Sequence, residues 1–124
     1  MVAVGVFVLG CLMGASAPAR GPVYAALGDS YTSGPFLSRP MGPKGCFQST
    51  RSYPALVAAE LHVAQLNDAS CAGAVIANLW KPQKAYPKPN PPQLDALGFD
   101  TSLVTVGLGA NDASYVQVLT DCLS

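Results

Sequence analysis

Two unbroken apolar runs that end on glycine constrain this chain more than any other feature. The first is VYAALG, Val23–Gly28, followed at once by Asp29-Ser30. The second is SLVTVGLG, Ser102–Gly109, followed by Ala110-Asn111-Asp112. Unbroken runs, rather than alternating ones, suit parallel strands covered on both faces. Between them, YPALVAAELHVAQL (Tyr53–Leu66) has helical periodicity. Leu56, Ala59, Val63 and Leu66 form its apolar stripe, and Pro54 suits a first helical turn. NDASCAGA (Asn67–Ala74) reads as a turn, a short strand and a glycine bend. NPPQLDAL (Asn90–Leu97) reads as a short helix after a proline entry, and SYVQVLTDCL (Ser114–Leu123) as a third helix. Strand and helix alternate three times. That order predicts an α/β fold with a parallel sheet and right-handed crossovers. Such sheets usually have more strands than the three found here.

With 124 residues, the chain is long enough for one domain and not two. Half of it is hydrophobic and 11% is charged, which excludes a disordered acidic or basic tail. The formal net charge is +0, so composition carries no footprint of nucleic-acid binding.

The first charged residue is Arg20. The apolar stretch before it is about 14 residues long, short of the roughly 20 that a membrane-spanning helix needs. Ala15-Ser16-Ala17 and Ala17-Pro18-Ala19 fit the small-x-small pattern of a signal cleavage site, although no basic residue precedes the apolar stretch. Residues 1–19 are therefore expected to be a secretory signal peptide, or else an uncleaved membrane anchor. Residues 20–124 are expected to form the folded part. Of the four cysteines, Cys46, Cys71 and Cys122 fall in that part. Export predicts disulfides, and an odd number leaves one thiol over.

Two stretches lack periodicity. KPQKAYPKPNPP (Lys81–Pro92) holds three lysines, five prolines and no acid. It reads as a solvated, extended loop in preference to a ligand rim or basic patch. SRPMGPKGCFQSTRS (Ser38–Ser52) is also irregular, and Cys46 gives it a reason to be ordered.

In parallel α/β sheets, sites form outside the carboxyl ends of the strands. Those ends carry Gly28-Asp29-Ser30, Cys71-Ala72-Gly73 and Gly109-Ala110-Asn111-Asp112. Taken singly, each has a plainer role as a turn, a bend or a helix cap. Together they form a constellation. Ser30 sits where backbone N–H groups are unpaired. Gly73 can add an N–H with no side chain in the way, and Asn111 a side-chain NH2. Three donors near one hydroxyl make an oxyanion hole, in which one donor typically contributes about 3 kcal/mol to the transition state. Asp29 is expected to hold the turn rather than act as a base.

ALGDSYTSG, CAGA, PQLDAL and LVTVGLGANDASY resemble, in order, successive blocks of the SGNH (GDSL-type) esterase and lipase family, in its secreted bacterial branch. The resemblance covers nearly all of the chain beyond residue 19. It implies a flavodoxin-like three-layer α/β/α fold with a parallel sheet, of which about three N-terminal strands are present. It implies hydrolysis of carboxylic esters, whether small or lipid, without cofactor or metal. Ser30 is the implied nucleophile; its own N–H, Gly73 and Asn111 form the implied oxyanion hole. Ala110 stands where relatives often have a second glycine. The placement of Cys46 and Cys71 fits the family too, and their pairing closes a loop within the chain.

The family's Asp-x-x-His block, which supplies the general base and its partner, is absent. The chain's one histidine is His62, which the periodicity places within a helix and away from the strand ends. The missing block, the odd Cys122 and the short sheet share one explanation: a chain truncated before the base. Such a chain is expected to have negligible esterase activity alone. The alternative expectation is a non-catalytic module of the same fold that binds a carboxylate or sugar at the strand ends.

Overall fold

The computed structural model describes residues 21–124; the expected signal peptide or anchor, residues 1–19, lies outside them. Strand β1, Val23–Gly28, is buried at every position. Its extended apolar run has a paired strand on each side. β4, Gln65–Asp68, pairs with it in parallel on one side, and β5, Thr101–Gly107, in parallel on the other. The sheet order is therefore β4-β1-β5. Chain order reverses across β1, so its carboxyl end is the switch point of the sheet.

Helix α1, Ser30–Ser33, follows β1 directly. A long excursion then carries a two-stranded antiparallel ribbon, β2 at Pro40–Met41 and β3 at Gln48–Ser49. The excursion is fixed to the end of β4. Cys46 and Cys71 form a disulfide, the Cys46 carbonyl accepts from Ala72 N–H, and Gln48 Nε2 donates to the carbonyls of Asp68 and Ser70. Cys122 is exposed and free among the described residues.

Helix α2 runs from Tyr53 to Glu60 and not to Leu66. Its end is a Schellman motif: Val63 N–H bonds the Ala58 carbonyl, and His62 N–H bonds the Ala59 carbonyl. His62 takes the left-handed position at φ 50 that glycine usually fills. Leu66, expected on the helical stripe, instead lies in β4 opposite Tyr24. The stripe itself is rotated. Pro54 is buried, Val57 and Ala58 are half-buried, and Leu56 is 55% exposed.

Two interior residues join the layers. Tyr24 OH and Thr105 Oγ1 are 2.8 Å apart, and Tyr53 OH on α2 donates to Thr105 Oγ1 at 3.1 Å. α2 thus covers the face of the sheet that carries Tyr24 and Thr105. The stretch expected as a helix at Asn90–Leu97 is a 3-10 turn over Gln93–Ala96, and it approaches β1. On that opposite face of β5, Val104 and Val106 are exposed, contrary to the expectation of cover on both faces. The last element, α3 at Tyr115–Leu123, buries no residue. Val116, Leu119 and Leu123 align on one face at helical spacing, and all three are exposed. No helix among the described residues is long and apolar enough to cross a membrane.

The lysine-rich loop is mostly exposed, as expected of a solvated loop, but it is folded back on itself rather than extended. Gln83 and Asn90 exchange backbone hydrogen bonds, closing the loop into a hairpin. Gln83 Nε2 donates to the Ala72 carbonyl and Asn90 Nδ2 to the Ala69 carbonyl. The prolines leave few backbone donors, so these two side chains anchor the loop to the end of β4.

Candidate active site

Ser30 is exposed at the first position of α1, one residue beyond the buried Asp29. Three contacts hold that turn. Asp29 Oδ1 accepts from Tyr31 N–H at 2.9 Å, and Asp29 N–H donates to the Gly107 carbonyl at 3.0 Å. Asp29 is therefore an N-cap, as its position in the sequence suggests. Gly28 fits because a Cβ there would collide with Thr32 Oγ1 and lie 2.9 Å from the Gly107 carbonyl oxygen. Gln93 supplies the third contact. Its Oε1 accepts from Gly28 N–H at 2.7 Å, and its Nε2 donates to the Gly28 carbonyl at 2.9 Å. This side chain is fully buried and grips the backbone two residues before Ser30. Sequence reasoning missed it, since PQLDAL marks a block but not a contact 65 residues away.

The other two strand ends converge on this turn. Cys71 N–H donates to the Gly28 carbonyl at 3.0 Å, which brings the 71–74 bend beside β1. Gly73 occupies the left-handed region at φ 78. Neither Ser30 N–H nor Gly73 N–H has a backbone acceptor among the described residues. Asn111 Nδ2 donates to the Ala74 carbonyl at 2.8 Å, and both Asp112 carboxylate oxygens accept from Ile76 N–H. The loop after β5 is thereby clamped to the loop after β4. One amide hydrogen of Asn111 is used in this clamp, and the second remains as a donor.

His62 belongs elsewhere. It is exposed beyond the end of α2, and Ala64 N–H bonds the Pro22 carbonyl at the start of β1. β1 rises about 3.3 Å per residue, so its six residues put His62 and Ser30 at opposite ends of the sheet, about 20 Å apart. The helix ends earlier than the periodicity implied, but the separation from the strand ends is as expected.

Beside Ser30 lies a groove of about 670 Å³ with walls that include Tyr31, Leu37, Tyr53 and Leu56. The Tyr31 and Tyr53 rings are 6.5 Å apart. Arg51 is the cation at its edge. Rotation of α2 moves Leu56 out of the expected core and into this wall.

Known proteins are similar to this chain in sequence and in fold. Residues 26–124 match the GDSL-like Lipase/Acylhydrolase family. The chain is similar to Lipase 2 of Streptomyces coelicolor, at 41% identity over 102 residues, covering 80% of this chain and 33% of that protein. It is similar to a lipase of Streptomyces rimosus at 35% identity, covering 90% of this chain and 40% of the relative. Among solved structures it resembles phospholipase A1 from Streptomyces albidoflavus NA297, with a TM-score of 0.64 and 34% identity, covering 82% of this chain and 39% of that one. The extracellular lipase of Streptomyces rimosus is also similar, with a TM-score of 0.62 and 33% identity, covering 82% of this chain and 40% of that one. The chain thus spans between a third and two fifths of the length of these relatives. With residues 26–124 matched to it and solved structures of similar sequence and fold, this chain belongs to the GDSL-like lipase/acylhydrolase family.

Proposed function

We propose that this chain supplies the nucleophile and the oxyanion donors of a serine ester hydrolase. Ser30 Oγ attacks the ester carbonyl carbon and gives up its proton to a base. The carbonyl oxygen, now negative, accepts hydrogen bonds from Ser30 N–H, Gly73 N–H and the Asn111 side chain. The tetrahedral intermediate collapses, the alcohol leaves, and water then releases the acyl group from Ser30. The apolar groove takes the hydrocarbon part of the substrate. The observations that support this reading are the Cys71 N–H bond to the Gly28 carbonyl and the Asn111–Ala74 bond, which tie the three strand ends to one another.

The base is not His62, which sits at the other end of the sheet. It comes from outside these residues, in keeping with the share of the relatives' length that the chain spans. Loss of the base in a serine hydrolase costs about 10⁶ in kcat, so the chain alone has negligible turnover. In that state the same donors hold a carboxylate or ester without cleaving it, which is the binding-module reading. We also infer export through residues 1–19, in line with the Cys46–Cys71 disulfide.

The test is hydrolysis of a short-chain aryl ester by the chain extended with the C-terminal remainder of its Streptomyces coelicolor relative. Ser30→Ala in that extended chain is expected to abolish turnover. Hydrolysis that survives the substitution overturns the assignment.

A further inference from the structure

The loops around the groove carry a pattern that ester cleavage does not use. Between Asp29 and Glu60 the chain has no acidic residue, yet it holds Arg39, Lys44 and Arg51. The hairpin loop adds Lys81, Lys84 and Lys88, again without an acid. The fold brings these two segments together. Gly45 packs on the Tyr86 backbone so closely that a Cβ at Gly45 would collide with the Tyr86 carbonyl. Lys44, Tyr86 and Lys88 line one surface recess there. Lys44 also lines an adjoining recess with Phe36 and Phe47. Asp68 and Asp95 line an adjoining recess across Pro43, Asn90 and Pro91, where Asp68 is tied to Ser70.

Two phenylalanines stand out within this patch. Their rings are 5.9 Å apart, and Phe36 is 90% exposed. Both have left-handed backbone, Phe36 at φ 62 and Phe47 at φ 55. That region is a genuine outlier for a bulky residue, and such strain persists mainly where a function uses it. Here it holds two large apolar rings side by side toward solvent. Leu37, the next residue, is a wall of the groove beside Ser30, so patch and groove are continuous.

We propose that this patch docks the protein on anionic phospholipid membranes. Phe36, Phe47 and Tyr86 enter the headgroup region, where amphipathic and aromatic side chains settle. Lys44 and Lys88, which line the same recesses as these rings, meet lipid phosphates, and the groove opens toward the bilayer. Charge complementarity selects the partner: Lys44 and Lys88 line the recesses that hold the three aromatic rings with no acid among them, on a molecule of zero net charge. Each cation near an anionic surface strengthens binding about fivefold. The proposal stands whether or not Ser30 is a nucleophile.

The experiment is co-sedimentation of the 124-residue chain with vesicles of phosphatidylcholine alone or containing phosphatidylglycerol. Binding should strengthen with phosphatidylglycerol and fall in about 1 M salt, where the Debye length is about 3 Å. Lys44→Gln and Lys88→Gln together should weaken binding to the anionic vesicles about 30-fold. Phe36→Gly should weaken it while leaving the melting temperature unchanged or raised, because glycine suits φ 62. The apolar N-terminal stretch is uncharged and common to every variant, so it produces no difference between vesicle types. Equal binding to both vesicles overturns the proposal. So does an unchanged double lysine variant, a folded Phe36→Gly chain that binds as tightly, or retention on heparin without retention on vesicles.

Discussion

β1 and β5 pair in parallel from Tyr24 and Leu103 to Gly28 and Gly107, and both read as unbroken apolar runs. Leu27 and Val106 are direct partners on one face of the sheet. Leu27 is 1% exposed and Val106 is 57% exposed. The difference lies in their neighbours. β1 has a strand on either side and packs against α1 and the Gln93–Ala96 turn. β5 has one paired edge, and α3 does not bury its apolar stripe anywhere among the described residues. An apolar run therefore records what a strand is built to bury, not what is present to bury it. The site follows the same division. Ser30 and its turn sit at the end of the finished strand, and the Asn111 loop continues from the half-covered one.

Substitutions can break or sharpen that contrast. The largest stability loss is expected for Leu27→Ala, about 3 kcal/mol by denaturant melts, because the side chain is enclosed on every side. A loss of only a few tenths there would mean that β1 is not the anchor. Gln93→Ala comes next, at about 2 kcal/mol, since it leaves the buried Gly28 N–H without an acceptor. It should also impair Ser30 chemistry in the extended chain more than its stability cost explains.

A smaller, pH-dependent effect belongs to Asp68 on β4. Burial pushes its carboxyl above the ordinary 3.8, partly offset by the hydrogen bonds from Ser70. The folded state thus favours the protonated form. Its stability falls as pH rises from about 3.8 through the raised folded value, and is level above that. Asp68→Asn keeps an Oδ1 acceptor for Ser70 and removes the buried charge. It should raise the melting temperature at neutral pH, with the difference vanishing in acid; a gain that persists in acid would contradict this. The smallest effect is Val106→Ala, within about 0.5 kcal/mol in this chain. A cost close to that of Leu27→Ala would show that β5 is covered after all.

Much of this was legible in local sequence. VYAALG gives the bounds of β1, Gly-Asp-Ser marks its end, and the Ser114–Leu123 pattern gives α3 to within a residue. The Cys46–Cys71 pairing followed the family resemblance. What stayed hidden depends on backbone geometry or distant contacts. The stop of α2 rests on His62 adopting a glycine-like conformation within a backbone motif, which no residue type announces. Asn67 and Asp68 look like turn residues but pair with Ala25 and Ala26 in β4. Gln93 and the closure by Gln83 and Asn90 act across long separations, where glutamine and asparagine carry no periodic signal. The exposed Phe36 and Phe47 look like core residues until their strained backbone turns them outward.

The central claim is that Ser30 is a nucleophile whose base lies outside these residues. Reaction with an aryl alkylphosphonate, followed by peptide mass spectrometry, tests both halves at once. The extended chain should carry the adduct on the peptide containing Ser30, and the 124-residue chain should react slower by orders of magnitude. An adduct on another residue, or equal rates for the two chains, would contradict the account.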